Sequence, residues 1–416
     1  MKFRTWMLPA AMAAGGVAGV ALGAGLGHRW TDPALEPLVL SVRLCGNVFL
    51  ALLKALTIPL IALSIAMAVQ ELGRGRDVAA LTIRTVLYFV ATTFVAVVTG
   101  LVLVQLIHPG TAALTSSGAP VALPEPRSAW QAIFDLVSGM FPSNLFNAAV
   151  ENNVLGLLVF SLIFGIALSK LGERAKPLVQ ALSIANEVLF LTVKWVVHLA
   201  PIGILGLVAD RLGRAGGGAA TWTEVQHLGW YSATVVAGLA FHACITLPLV
   251  LRFFARRNPF QYARGMLEAL ITAFGTASSA ATLGVTVNGV VEKNGVSRRS
   301  ADFVLPLGTT INMNGTALYE AVAVVFIAQT LGLELTGVQL AIVAITATLA
   351  AIGAAAIPEA GLVTMVLVLT AVDLPTESIG LLLAIDWILD RFRTAVNVWG
   401  DSVGAAVVDA HRPGPG

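Results

Sequence analysis

Close to its C-terminal end the chain reads DWILDRFRTAVNVWGD, Asp386 to Asp401, which places three aspartates and two arginines between the apolar runs IGLLLAI and VGAAVV. On an α-helix advancing about 100° per residue, with Asp390 set at zero, Asp386 falls at about −40°, Arg393 at about −60°, Thr394 at about +40°, Asn397 at about −20° and Asp401 at about +20°. Six polar groups therefore share one stripe, with Phe392 and Trp399 on the far side and Trp387 at the margin. Centring a charge in a bilayer costs at least ~2.5–3.5 kcal/mol, so such a stripe must face protein, water or a ligand. One reading is a self-neutralising ion-pair seam that glues helices. The other starts from charge balance: three acids face one on-stripe cation, Arg393, which leaves room for cations or for a ligand carrying an ammonium group. A carboxylate receiving that ammonium, beside a guanidinium gripping a carboxylate in bidentate fashion, would recognise a zwitterion with an acidic side chain.

The elements that must position these groups are membrane segments. Of 416 residues, 57% are hydrophobic and 12% charged, against roughly 45–50% apolar in a soluble domain. Apolar stretches long enough to cross a hydrocarbon core of about 30 Å recur along the whole chain, and hydropathy predicts helices near 7–27, 37–71, 78–107, 130–170, 178–210 and 225–254. The first, following Lys2 and Arg4, could be a signal peptide; its length and the poor cleavage context AGLGHRW favour a retained helix. With a cytoplasmic N-terminus most basic residues fall inside, leaving Arg29, Arg127, Arg211 and Arg214 outside, in agreement with the positive-inside rule. The net charge of +2 excludes a strongly basic nucleic-acid binder, and Cys45 and Cys244 lack metal-ligand spacing. Arg43, Lys54, Arg84 and Lys194 read as snorkelling side chains, His198 and His242 as isolated packed ones.

From Pro259 onward small and polar residues interrupt the apolar runs, in TAFGTASSAATLG, TTINMNGTALYE and AAIGAAAIPEAG. Backbone broken at membrane depth must find hydrogen bonds in protein or a watery cavity, which makes this the functional half. Two of the segments share one design, an apolar arm, a small-residue tip (275–284 and 353–361) and a second apolar arm, each followed by a longer polar-centred helix. Such a pair points to an inverted-repeat secondary transporter; tight helix packing alone is the plainer explanation of either tip.

At this point DWILDRFRTAVNVWGDSVG, INMNGTALYEAVAVVFIAQ, IGAAAIPEAGLVTMVLVLTAVDLPT and FPSNLFNAAVENNVLGLLVFSLIFGIAL resemble, in order and over about residues 40–408, the dicarboxylate/amino acid:cation symporters, the glutamate transporter family. The resemblance implies an all-α polytopic membrane protein of eight transmembrane helices and two re-entrant helical hairpins with inverted repeats. It also implies a homotrimer in which a transport domain slides like an elevator against a scaffold. Carried over, residues 1–77 hold scaffold helices 1–2, 78–110 transport-domain helix 3, 111–224 scaffold helices 4–5 and 225–258 helix 6. Residues 259–299 form the first hairpin, 300–334 helix 7, 335–375 the second hairpin, and 376–416 helix 8 with the tail. Asp390 would take the substrate ammonium, Arg393 the side-chain carboxylate and Asn397 the main-chain carboxylate, beside Thr394 and Thr316. Tips at Ser278 and Ser279, and at Ala356, Ile357, Pro358, Ala360 and Gly361, would close over the substrate. Asp401, Asn312, Asn397 and the Gly308 carbonyl match one sodium site, and Thr310 and Met313, with second-hairpin carbonyls, another. Arg393 resembles the acidic-substrate branch and Asp390 the amino-acid carriers, which together select L-aspartate or L-glutamate.

The chain departs from the family where NMDGT becomes NMNGT. Asn314 replaces the acid of a third sodium site, whose other positions match Phe89, Thr92 and Thr93, and Phe89 lacks the usual hydroxyl. Losing a carboxylate weakens a cation site, which puts that sodium in question and would lower the ion count unless the change deliberately neutralises the site. Gly284, standing where the family has proline, should loosen the first tip. Glu320 matches the position of a carried proton, or is a buried acid paired with a base such as Arg391; Arg391 resembles a surrogate or competitor for counter-transported potassium. The expected cofactors are therefore sodium, with proton symport and potassium antiport as hypotheses and no organic cofactor. Expected partners are the amino acid, membrane lipid and two further copies of the chain, with no nucleic acid. The expected place is a bacterial inner membrane, with both termini expected to be cytoplasmic. Rival readings are a neutral amino-acid or C4-dicarboxylate carrier and an anion channel. No nucleophile and base stand at a spacing that would support an enzyme.

Overall fold

The structure is a computed structural model that describes residues 7–72, 79–110, 134, 138–150, 154–353 and 360–411. Every regular element among them is helical. The N-terminal group comprises α1 (Met7–Leu26), α2 (Glu36–Leu72), α4 (Leu145–Val150), α5 (Val154–Leu171), α6 (Lys176–His198) and α7 (Ala200–Arg214). Here α1 lies along α7, and α2 packs on α5, α6 and α7. A stripe of glycines four residues apart sets the first contact. Cβ atoms added at Gly19 or Gly23 would stand 2.9 Å from the carbonyls of Leu205 and Ala209, and one at Gly15 would strike the Pro201 carbonyl. Lipid tails give apolar helices no reason to associate, so close backbone approach through such small residues holds the pair together. Arg43 does not snorkel: its Nε donates to Asp210 Oδ1 at 3.2 Å, on an acid also held by Trp30 and Arg214.

Proline changes two of the hydropathy spans. The stretch 178–210 is two helices parting at Leu199, because Pro201 has no N–H to continue the ladder and sits naturally in the first turn of α7. The stretch 130–170 is interrupted around Pro142, after which Asn144 Oδ1 accepts from the Phe146 and Asn147 N–H groups and starts α4. The stretch 225–254 begins earlier, as α8 (Ala219–Phe241), and reaches α9 (Leu247–Phe254) through a π-helical turn, His242–Thr246. Pro248 sits in the first turn of α9, and a wider turn ahead of it is one way to accommodate the missing donor. The Ala243 carbonyl inside that turn accepts from Trp399 Nε1 at 3.0 Å.

The other group is α3 (Ala79–Ile107), α8, α9, and everything after them: α10 (Pro259–Thr276), α11 (Ser279–Asn288), α12 (Arg298–Ile311), α13 (Asn314–Thr330), α14 (Gly337–Gly353), α15 (Ala360–Thr370) and α16 (Ile379–Ala410). At its centre runs α13, in which every residue from Asn314 to Gln329 is buried, as expected of a helix without a polar face. α3, α8, α14, α15 and α16 surround it. α10 and α11 form a hairpin whose turn passes through Ala277 at φ 49° to Ser278, which caps α11. α14 and α15 pack together as a second pair; the intervening tip, with Ala356, Ile357 and Pro358, lies outside the described residues. Among the described residues six helical segments are long and apolar enough to cross a membrane. Substituting Gly19→Leu should lower the midpoint of thermal unfolding in detergent by the equivalent of about 1–3 kcal/mol, since a backbone carbonyl cannot yield as a side chain would; an unchanged midpoint would refute the glycine contact.

Candidate functional site

α16 does enclose the charged stripe. Asp386, Asp390, Arg393, Thr394, Asn397 and Asp401 are all buried, Arg393 at 0% exposure. Its far side is covered in part: Trp399 is buried against the π turn, Phe392 is half-buried and edge-on to Phe274 with ring centroids 5.1 Å apart, and Ile388 is exposed. Arg393 reaches back along its own helix, Nη2 donating to Asp390 Oδ1 at 2.7 Å and to Asp386 Oδ2 at 3.2 Å, with Nη1 3.0 Å from Asp386 Oδ1. Its guanidinium carbon lies 4.0 Å from the centre of the Tyr319 ring on α13, a cation–π contact. The ion-pair seam is therefore real but unbalanced. Two carboxylates meet one guanidinium, and Asp401 is bonded to an amide rather than to a base.

Two glycines let backbone close on this group. A Cβ added at Gly361, at the start of α15, would lie 2.6 Å from Arg393 Nη1, and one at Gly315 would lie 2.7 Å from the Arg393 carbonyl. Asn397 Oδ1 accepts from the Gly315 N–H at 2.8 Å while its Nδ2 points to Thr316 Oγ1 at 3.5 Å. Arg393, Asp390, Asn397, Thr316 and Gly361 are thus brought together. Ala360 begins the same helix as Gly361. Ser278 and Ser279 sit at the first hairpin's turn, where the Ser278 hydroxyl accepts from the Ala281 N–H at 3.3 Å and Ser279 is buried. That turn is tied to α16 by Arg391, whose Nη1 donates to the Phe274 and Gly275 carbonyls at 3.0 and 2.9 Å, among the last carbonyls of α10.

One turn beyond Asn397, Asp401 Oδ1 accepts from Asn312 Nδ2 at 2.8 Å. Gly308 packs so closely that any Cβ there would strike the carboxylate. Between α12 and α13 the chain leaves the helix at Asn312 (φ −104°, ψ 84°) and Met313 (φ −113°, ψ 59°), which exposes carbonyls that a continuous helix would occupy. The buried Asn312 Oδ1 has no hydrogen-bond partner among the described residues. A carboxylate, an unpartnered amide oxygen and loose carbonyls suit a hard cation. Among the described residues no three His, Cys, Asp or Glu side chains gather as a transition-metal site. Thr310 Oγ1 donates to the Leu307 carbonyl at 3.0 Å, and Met313 is buried beside the break.

Glu320 is enclosed on α13 at 0% exposure. One oxygen accepts from the Thr364 hydroxyl of α15, the other has no partner, and it makes no ion pair among the described residues. Pairing with Arg391 is thereby replaced: that arginine serves the hairpin. His242 is not isolated either, since its Nε2 faces Asn314 Nδ2 at 3.3 Å, and Asn314 Oδ1 accepts from Thr93 at 2.6 Å. Thr92 turns its hydroxyl to the Tyr88 carbonyl at 2.8 Å. Sequence reasoning placed Asp386 on the stripe without a task and did not single out Tyr319, Gly315, Thr364 or the His242 contact. Tyr319 stands one helical turn from Thr316 and could have been found by that spacing. The His242 contact joins the π turn after α8 to α13 and leaves no local trace.

The profile of the Sodium:dicarboxylate symporter family matches residues 8–411. Excitatory amino acid transporter 2 of Mus musculus is 40% identical over 448 residues, covering 94% of this chain and 77% of its own length. Excitatory amino acid transporter 3 of Mus musculus is 39% identical over 412 residues, with 88% and 78% covered. The Excitatory amino acid transporter of Caenorhabditis elegans is 39% identical over 435 residues, with 94% and 86% covered. An enclosed guanidinium between carboxylates, a broken helix beside a lone aspartate and a match from end to end agree: the chain belongs to the Sodium:dicarboxylate symporter family.

Proposed function

We propose that this protein is a secondary active transporter that carries L-aspartate or L-glutamate across the membrane with sodium. The observation that carries the reading is the fully buried Arg393 held by Asp386 and Asp390. A substrate carboxylate takes over part of that guanidinium in bidentate fashion, which frees Asp390 to receive the substrate ammonium. Asn397 takes the main-chain carboxylate, with Thr394 and Thr316 beside it, and the tips at Ser278, Ser279, Ala356, Ile357, Pro358, Ala360 and Gly361 close the site. A neutral amino acid would leave Arg393 where it is, and a C4-dicarboxylate would bring a second negative charge to Asp390, so both bind more weakly.

Sodium binds where the donor set suits it, at Asp401, Asn312, Asn397 and the Gly308 carbonyl, and again at Thr310 and Met313. Glu320 carries a proton: an enclosed carboxyl without a counter-ion crosses at less cost neutral than charged. Potassium return is assigned to the neighbourhood of Arg391. The protein works as a homotrimer in a bacterial inner membrane with both termini cytoplasmic. The packing of α1, α2 and α5–α7 among themselves, and of α3 with α8–α16, supports a scaffold and a sliding transport domain.

In proteoliposomes, uptake of labelled aspartate should be competed by glutamate and scarcely by alanine, serine or succinate. The double variant Arg393→Thr with Asp386→Asn, which removes the cation and one carboxylate together, should weaken aspartate binding on the order of 10- to 100-fold, as expected for lost charge-assisted bonds, and leave serine favoured. Undiminished preference for aspartate would sink the assignment. Glu320→Gln should abolish substrate-driven alkalinisation of the bath while aspartate binding persists; equal proton uptake in the parent and the variant would remove Glu320 from that role.

A further inference from the structure

Behind the stripe, α3, the π turn after α8, and α13 meet at a cluster that the transport reading leaves unused. Thr93 Oγ1 donates to Asn314 Oδ1 at 2.6 Å, and Asn314 Nδ2 meets His242 Nε2 at 3.3 Å, with all three side chains buried. The order of donors is consistent along the chain of contacts. The threonine hydroxyl gives to the amide oxygen, and the amide nitrogen gives to a ring nitrogen that must be unprotonated to receive it. The side chains that flank this cluster on α3 bring it no free oxygen: Phe89 has none, Thr92 is turned to the Tyr88 carbonyl, and the Tyr88 hydroxyl donates to the Gly400 carbonyl at 2.9 Å. An enclosed cation needs oxygen ligands and a compensating negative charge. This locus offers an amide whose two ends are engaged and a neutral imidazole.

We infer that Thr93, Asn314 and His242 form a neutral hydrogen-bonded chain in place of a coupling-cation site, so that each substrate moves with one sodium ion fewer than it would with aspartate at position 314. The inference rests on the sodium-coupled transport reading above. Asparagine and aspartate have nearly the same shape, so the difference lies in charge and in the direction of one hydrogen bond. With a carboxylate at 314, both oxygens would accept, His242 would have to donate, and the locus would gain the charge it now lacks.

The test is aspartate binding to the purified full chain over a sodium series at fixed pH, with the sodium gradient that gives zero net aspartate flux in proteoliposomes as a second count. Asn314→Asp should raise the sodium order of aspartate binding by one and shift the zero-flux gradient accordingly. Asn314→Leu, branched alike and without oxygen, should keep the parent's order. A folded Asn314→Asp protein with the parent's order, or an Asn314→Leu protein whose order falls by one, would overturn the inference. If the buried charge prevents Asn314→Asp from folding, as a thermal shift would reveal, Asn314→Leu decides alone. Aspartate binding by the parent with no sodium dependence at all would instead overturn the coupling reading beneath it, so the two failures are distinguishable.

Discussion

The constraint on which the rest depends is the burial of Arg393. A guanidinium at 0% exposure inside a membrane protein survives only if its charge is met nearby. α16 meets that charge from within: Asp390 lies three residues back and Asp386 seven, spacings that keep all three side chains on one face. The Tyr319 ring covers the guanidinium from α13. The surrounding helices must then enclose the charged face of α16, and they do so closely enough that Gly315 and Gly361 have no room for a side chain. A substrate that brings its own carboxylate competes with groups already in place rather than filling an apolar hole.

The same helix also answers for the breaks around it. Each interruption of backbone at membrane depth leaves donors and acceptors that lipid cannot satisfy, and α16 supplies partners for several. Asn397 takes the Gly315 N–H just after the α12–α13 break, Arg391 takes two carbonyls at the end of α10, and Trp399 takes the Ala243 carbonyl in the π turn. Residues that look like a surplus of polarity along α16 are therefore divided between its faces, some holding irregular backbone and some holding charge.

That division explains what the sequence makes legible. The helical class, the hairpin turn near Ser278 and the break in TTINMNGT follow from apolar run lengths and from small or polar interruptions, which are local properties. The stripe itself follows from helical pitch. Proline effects were harder to place: Pro201 splits a span that hydropathy reads as one, and Pro248 is preceded by a π turn, because a transfer scale counts proline as a residue and not as a missing donor. Partners across the bundle were least visible. Nothing within a few residues of His242 indicates Asn314, nothing near Glu320 indicates Thr364, and Arg391 bonds to carbonyls more than a hundred residues away.

A physical route connects the Asp401 end of the site to the Arg393 end. Asp401 holds Asn312, and the chain then passes through Met313 and Asn314 to Gly315 and Thr316, both of which face Asn397. Asn397 and Asp401 are themselves one turn apart on a rigid helix. On the proposed reading, a cation drawn in by Asp401, Asn312 and the carbonyls of the break would fix the geometry of the non-helical joint on this path, and with it the Gly315 N–H and the Thr316 hydroxyl. A ligand binding afterwards at Asn397 and Arg393 has less left to order, and by reciprocity the ligand must tighten the cation to the same degree. Coupling of this kind needs no contact between ion and substrate. It needs a joint whose backbone is not fixed by helical hydrogen bonds, and Asn312 and Met313, outside the helical range, form one.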